Sequence, residues 1–390
     1  MSEPFASDGV RFQRPSLPSQ ARIERYFEQS RQEGWFSNGG PCWRLLGERL
    51  ADRVSAYCVP VANGTLGLMV ALAALLEPEG RGATAGRALM PSFTFPATAQ
   101  AALWCGLKPC LLDVHADHWH LEEFLLERAL GDRAADLAAV IAVSSFGTPA
   151  PAETRLRWER ACAAAGLPLL VDSAAGFGAV AEDGVPVGAQ GDVEVVSFHA
   201  TKPFAIGEGG AVFTRSRRLC ERIELAVNFG LTPDRAVAQA HGLNAKMSEL
   251  HAATALAVLD ELDTILATRR RQAAEVRDLA GPGVAWQLGC EGSTWQFMPA
   301  ALADVESRRE AEEACRGRVE TRRYYEPLHA MEPFREWPIA HGDLANTEAL
   351  HERLLCLPMA NELGQGEIAS IAAPLAAASG GARRGAMQAG

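Results

Sequence analysis

Four short apolar runs in this chain end on residues that could carry chemistry. Asn63-Gly64-Thr65 follows the run at 57–62 and opens an apolar helical stretch. Ser92-Phe93-Thr94-Phe95 follows the run at 88–91. A third run, 168–172, ends on Asp172, and a fourth, 194–198, leads through Ser197-Phe198-His199-Ala200-Thr201 to Lys202. If the runs are strands of an open α/β sheet, these residues lie beyond the carboxyl ends, where such sheets bind ligands. The set then comprises a helix N-terminus with a glycine, an aromatic ring, a carboxylate, a hydroxyl and a lysine. That combination suits pyridoxal phosphate. Free N–H groups at a helix start hold a phosphate, and Gly64 lets the backbone come close. A ring such as Phe95 can lie on the pyridine face. A carboxylate at the pyridine nitrogen keeps the ring an electron sink, and a lysine of depressed pKa bonds the aldehyde and moves protons.

Each residue alone has a plainer reading. Asn-Gly-Thr is commonly a turn or N-cap, an Asp at a strand end commonly a cap, a lone Lys commonly solvated. His199 reads as a structural histidine, and Gly207-Glu208-Gly209-Gly210 as a turn. His115, Asp117, His118 and His120 crowd one loop but match no metal-ligand spacing, so no metal is expected there. The order and placement of the parts favour the functional reading.

The elements that must position these residues are legible. Apolar or β-branched runs at 57–62, 88–91, 109–113, 139–143, 168–172, 194–198 and 210–214 suit strands buried on both faces. Helical patterns at 65–76, 95–105, 121–130 and 152–165 separate most of them, which indicates a mostly parallel sheet covered on both sides. Two amphipathic helices precede the first strand, near 20–33 and 42–55, on either side of Ser37-Asn38-Gly39-Gly40-Pro41. One long helix is expected from Lys246 to about Leu279, ended by Gly281-Pro282-Gly283, and its run Arg269-Arg270-Arg271 reads as a solvated face. The expected organisation is an extended arm over 1–20, a large cofactor-binding domain over 21–280 whose first helices partly join the smaller domain, a small α+β domain over 281–378, and a flexible tail over 379–390.

The chain's 390 residues carry a net charge of −11, which argues against a protein that grips nucleic acid or an anionic membrane. No stretch reaches the ~18 apolar residues of a membrane span, and the N-terminus has no signal-peptide pattern. Nine scattered cysteines, none in Cys-x-x-Cys spacing, read as reduced thiols of a cytoplasmic protein. A nicotinamide dehydrogenase is excluded by the lack of Gly-x-Gly-x-x-Gly after the first strand.

Several segments, in one order, resemble the DegT/StrS family of pyridoxal-phosphate-dependent sugar aminotransferases. They are Gly34-Trp35-Phe36-Ser37-Asn38-Gly39, Pro91-Ser92-Phe93-Thr94-Phe95-Pro96-Ala97-Thr98, Val171-Asp172-Ser173-Ala174, the stretch Ser197 to Lys202 with Gly207 to Val212, Gly242-Leu243-Asn244-Ala245-Lys246-Met247-Ser248-Glu249-Leu250, Arg323-Tyr324-Tyr325-Glu326-Pro327-Leu328-His329, and Leu355-Cys356-Leu357-Pro358-Met359. The resemblance spans about residues 10–375. It implies a fold type I architecture with a mostly parallel seven-stranded sheet. It makes Lys202 the cofactor-bonding lysine and proton carrier and Asp172 the partner of the ring nitrogen. Gly64 and Thr65, with Asn63, hold the phosphate, Ser197 adds a hydroxyl and Phe95 covers the ring. Asn244 would complete the phosphate site of a partner subunit, in a homodimer with shared sites.

The implied reaction moves an amino group from an amino acid, L-glutamate, to a ketone of a nucleotide-linked keto-deoxy sugar. The alternatives are the same chemistry on a keto-cyclitol or another natural-product carbonyl compound, or a non-catalytic cofactor-binding member. The family's sugar dehydratases carry His at the lysine position, unlike Lys202. Two departures stand out. Asn63 replaces the family's usual Ser, and Ala175 replaces a His or Gln near the cofactor ring; the second departure weakens the transfer of substrate identity from better-known members.

Overall fold

A computed structural model describes residues 9–76, 86–239 and 241–388. The first eight residues of the expected arm therefore lie outside the described residues. Seven strands form one sheet: β1 (Tyr57–Val61), β2 (Arg87–Pro91), β3 (Lys108–Leu112), β4 (Leu137–Val143), β5 (Leu169–Asp172), β6 (Val193–Ser197) and β7 (Gly210–Thr214), in the order β1-β7-β6-β5-β4-β2-β3. Only β7 runs antiparallel to its neighbours, so the sheet is mostly parallel as the run-and-helix alternation indicates. Helices α3 (Gly64–Leu76), α4 (Pro96–Trp104), α5 (Glu123–Arg133), α6 (Ala152–Ala165) and α7 (Arg217–Val227) flank it. Every residue of β4 and β7 is buried, the reason these strands show continuous rather than alternating apolar character.

The two helices ahead of the sheet, α1 (Gln20–Glu33) and α2 (Pro41–Val54), fall where expected. The long helix expected from Lys246 is two helices, α8 (Glu249–Leu259) and α9 (Leu262–Ala280), broken at Asp260-Glu261. The Asp260 carboxylate accepts from Tyr26 Oη (2.8 Å), Arg49 (3.0 Å) and Arg25 (3.2 Å) on the first two helices. An aspartate so engaged, at a residue type that favours helix ends, interrupts the helical run. Arg269, expected on a solvated face, is instead buried; it donates to Asn361 Oδ1 and the Trp295 carbonyl.

A second core is built by α9 with α10 (Val305–Cys315), α12 (Gln365–Gln388) and the two-stranded sheet β8 (Met298–Ala301) and β9 (Leu354–Leu357), which α11 (Ala345–Arg353) immediately precedes. Helix α12 runs on through residues 379–388. Val10 packs into this core and pairs with Val319, so the arm is pinned before it turns toward the sheet.

One long-range contact fixes the front of the molecule. Helix α2 begins Gly40-Pro41, and neither residue has a side chain that can cap it. Glu249, the first residue of α8, does so instead. Its fully buried carboxylate accepts from Cys42 N (2.6 Å), Trp43 N (3.1 Å) and Ser30 Oγ (2.9 Å). A negative charge at a helix start is favourable on dipole grounds as well. A Cβ at Gly40 would lie 2.6 Å from that carboxylate, so a larger residue there would have to displace the cap. Glu249→Ala strands two buried N–H groups, and we expect a loss of about 3 kcal/mol of unfolding free energy in a urea titration; a loss below ~1 kcal/mol would refute this role for the carboxylate.

Candidate active site

The carboxyl ends of the central strands open into a cavity of about 750 Å³. Asn63, Gly64, Thr65, Phe95, Asp172, Ser197 and Lys202 all line it. The geometry thus brings together seven of the eight residues that the sequence singles out. The eighth, Asn244, is exposed and lies outside the cavity.

One end of the cavity is the start of α3. Asn63 Oδ1 accepts from Leu66 N (2.9 Å), which makes Asn63 the N-cap and leaves the N–H groups of Gly64 and Thr65 at the helix start. Two glycines bring this turn against the sheet. A Cβ on Gly64 would lie 3.0 Å from Ser197 Cβ, and one on Gly210 would lie 2.7 Å from the Val196 carbonyl and 3.0 Å from Gly64 N. The result is a close cradle of backbone N–H and hydroxyl groups at the positive end of a helix dipole, which suits a phosphate.

Asp172 ends β5 and is 6% exposed. Its Oδ2 accepts from Thr98 Oγ1 (2.7 Å), and its Oδ1 from Ala174 N (3.2 Å). Burial raises its pKa above the usual carboxylate value, while Thr98, the Ala174 N–H and the charge of Lys202 pull the other way. Lys202 sits in the loop after β6. Its Nζ donates a long hydrogen bond to Gln296 Oε1 (3.4 Å). Burial lowers its pKa to about 8, against the opposing pull of Asp172. Desolvation governs both groups, the condition under which lysine becomes a nucleophile and a proton carrier near neutral pH.

Phe95 stands at the N-cap of α4, lining the cavity yet 56% exposed. His199 lines the wall, but its Nδ1 is held within its own loop by Thr201 N (3.2 Å) and Thr201 Oγ1 (2.9 Å). Ala175 lines the cavity, and its carbonyl accepts from Thr294 Oγ1 (2.7 Å). The loop histidines lie elsewhere. His115 stacks on His118 and His118 on His120, with His118 Nε2 3.3 Å from Glu123, and burial brings His120 down to about 3.

Sequence reasoning missed Thr98, Gln296, Gln13, Ser144 and the pair Tyr324 and Tyr325 as parts of the wall or its support. Thr98 falls inside a recognised segment, at the end of the first turn of α4, and that placement was the available signal. Tyr325 stacks on Phe146 (4.8 Å between centroids) and meets Phe93 edge-on. Gln296 and Gln13 arrive from the second core and the arm, which no local pattern connects to the sheet.

The donor set fits pyridoxal phosphate: a buried carboxylate, a buried lysine of lowered pKa, and a glycine-lined helix start where added Cβ atoms would collide. The family profile of the DegT/DnrJ/EryC1/StrS aminotransferases matches residues 19–376. Protein Rv3402c of Mycobacterium tuberculosis is 36% identical over 375 residues, covering 93% of this chain and 89% of its own. The dTDP-4-amino-4,6-dideoxy-D-glucose transaminase of Shigella dysenteriae is 28% identical, over 90% of this chain and 93% of its own. Among solved structures, DesI in the presence of its TDP-sugar product superposes with a TM-score of 0.83 at 32% identity, over 99% of this chain and 97% of that one. The chain belongs to the DegT/DnrJ/EryC1/StrS aminotransferase family and is a pyridoxal-phosphate-dependent aminotransferase.

Only three lysines occur in the chain, Lys108, Lys202 and Lys246, so the site is easily mapped. A pKa lowered to about 8 leaves the Lys202 amine neutral, and reactive, above that pH rather than above 10.5. Capture of pyridoxal phosphate by the cofactor-free protein should therefore rise with a midpoint near pH 8. Borohydride should then fix the cofactor on the Lys202 peptide alone. A midpoint near 10, or label on Lys246, would show that the buried lysine is not the reactive one.

Proposed function

We propose that this aminotransferase takes the amino group of an amino acid, L-glutamate, and delivers it to the ketone of a nucleotide-linked keto-deoxy sugar. The observation that carries this reading is the likeness, over nearly the whole of both chains, to DesI in the presence of its TDP-sugar product, joined to the likeness to a dTDP-4-amino-4,6-dideoxy-D-glucose transaminase. The cavity supports it. Its volume is about 750 Å³, and its wall includes aromatic and polar residues, among them Phe297, Tyr324, Tyr325, Gln13 and Gln296. Such a wall matches a sugar's mixed apolar faces and hydroxyls.

In this reading pyridoxal phosphate supplies an aldehyde that receives amino groups and a ring that withdraws electrons from the adjoining carbon. The protein holds and directs. The N-terminus of α3, through Gly64 and Thr65 with Asn63 as its cap and Ser197 beside it, would hold the phosphate. Asp172, fixed by Thr98 and Ala174 N, would keep the ring nitrogen protonated. Phe95 would lie against the ring. Lys202, neutral in a substantial fraction near pH 8, would bond the aldehyde and, once released, carry protons on its Nζ. Gln296 holds that Nζ through a long hydrogen bond (3.4 Å).

A homodimer with shared sites and a cytoplasmic location belong to the same reading. Trp35, Phe36, Leu45, Phe229 and Leu250 are large, apolar and exposed. Backbone pairing gathers their segments, through Glu249 N to the Phe36 carbonyl and Phe229 N to the Leu243 carbonyl. Asn244 stands exposed on this face. It does not cap α8; Ser248 does, accepting from His251 N. That leaves the Asn244 side chain available to a partner's phosphate site. No disulfide links the cysteines of the described residues, as suits a reducing compartment.

The direct test is a panel of nucleotide-linked keto-deoxy sugars, free keto sugars and keto-cyclitols, each offered with glutamate. Amination of a nucleotide-linked ketone at least about tenfold faster than of any unlinked acceptor is expected; the reverse preference would overturn the assignment.

Shared sites have their own check. Mix Asn244→Ala with Lys202→Ala protein under conditions of subunit exchange. Each mixed dimer then has one site with Lys202 from one chain and Asn244 from the other. Cofactor affinity at that site should return toward wild type. Mixed dimers no better than the Asn244→Ala parent would rule out action across the interface.

A further inference from the structure

Glu194 is fully buried on β6, and the reading so far gives it no task. One carboxyl oxygen, Oε2, accepts from Gly188 N (2.6 Å) and Gln190 N (3.0 Å). The other, Oε1, lies 2.5 Å from Ser173 Oγ. Ser173 Oγ donates to Ser144 Oγ at 2.9 Å. Ser144 follows β4, is 3% exposed and lines the cavity, and its backbone N–H is fixed on the Asp172 carbonyl (2.9 Å). Three side-chain oxygens thus run in line from the interior to the cavity wall.

A hydroxyl has one hydrogen to give. Ser173 Oγ lies within donating distance of both Glu194 Oε1 (2.5 Å) and Ser144 Oγ (2.9 Å), and both contacts are hydrogen bonds with Ser173 donating to Ser144 only when Glu194 carries the hydrogen between them. The surroundings agree. Burial pushes the Glu194 carboxyl up to about 7, although Ser173, the two backbone N–H groups and Arg155 favour its charged form. Arg155 on α6 is the charged group that faces it, and its guanidinium is engaged by Asp183 (2.5 Å) and Glu159 (3.5 Å). Opposite Glu194 on the flanking strands stand the apolar Val171 and Phe213. With Glu194 donating to Ser173 and Ser173 to Ser144, the hydrogen of Ser144 is left for the cavity.

We propose that Glu194, Ser173 and Ser144 form a donor relay that ends on the phenolic oxygen of the bound cofactor. Ser144 touches that oxygen; Ser173 and Glu194 are positioning residues. The inference rests on the site reading above, in which Asp172 takes the ring nitrogen, Lys202 the aldehyde and the α3 N-terminus the phosphate. The phenolic oxygen is then the remaining polar group of pyridoxal phosphate, and it is an acceptor. Ala175, also in the lining, has no side chain that can donate.

The test reads the visible absorption band of protein loaded with pyridoxal phosphate as a function of pH. A donor on the phenolic oxygen stabilises its negative charge, most strongly in the deprotonated form of the Lys202 adduct, so the donor lowers the midpoint of the transition. Ser144→Ala should raise the midpoint by about one pH unit. Ser173→Ala should move it in the same direction by less, and Ser144→Thr, which keeps the hydroxyl, should leave it in place. In Glu194→Gln the amide oxygen can stay on Gly188 N and Gln190 N while the amide nitrogen donates to Ser173. That variant keeps the relay's direction, and its midpoint should stay within a few tenths of wild type. An unmoved midpoint in Ser144→Ala, or a shift in Glu194→Gln as large as that in Ser144→Ala, overturns the relay. A wild-type protein that forms no such band overturns the site reading itself, and the relay with it.

Discussion

Everything in the cavity depends on keeping Lys202 and Asp172 out of water without letting them neutralise each other. A lysine and a carboxylate that meet form an ion pair, and the lysine's pKa then stays high. Here the carboxylate is turned away and occupied. Thr98 Oγ1 and Ala174 N hold Asp172 at the end of β5, while Lys202 Nζ reaches Gln296 from the loop after β6. Burial therefore dominates on both sides, raising Asp172 and lowering Lys202 to about 8. The cost of desolvating two ionisable groups is sustained by the core around them, with β4 and β7 buried at every residue.

That arrangement constrains the backbone nearby. The start of α3 must reach the same cavity, so the turn after β1 has to close on β6 and β7. Gly64 and Gly210 make the approach possible, since added Cβ atoms would meet Ser197 and the Val196 carbonyl. The antiparallel seating of β7 between β1 and β6 brings Gly210 opposite both Val61 and Ser197. The one reversed strand in the sheet is thus the strand that lets the cradle close.

The seven strands and the first helices were legible because buried parallel strands announce themselves as short apolar runs, and because Asp172, Ser197 and Lys202 each sit at or just beyond such a run. What was not legible depends on distance along the chain. Glu249 caps a helix 207 residues earlier, and Gln296 meets Lys202 across 94 residues. Neither contact leaves a local pattern. The break between α8 and α9 was hidden for the same reason: Asp260 looks like one more polar helical residue until Tyr26, Arg25 and Arg49 are brought to it. Arg269 read as a surface charge because its partners, the Asn361 amide oxygen and the Trp295 carbonyl, come from a different core.

Ala175 is held by its backbone at a junction of three segments. Its carbonyl takes the Thr294 hydroxyl at 2.7 Å, and Thr294 N donates to the Gly147 carbonyl. A Cβ at Gly147 would lie 2.2 Å from Thr294 Oγ1 and 2.7 Å from the Ala175 carbonyl. The loop after β5, the loop after β4 and the segment before β8 are thereby locked against one another. A rigid wall of this kind fixes Ser144 and Ser173, which flank the same junction, within hydrogen-bond distance of each other. The Ala175 carbonyl and the buried hydroxyl pair of Ser144 and Ser173 thus sit in one tightly closed junction at the ends of β4 and β5.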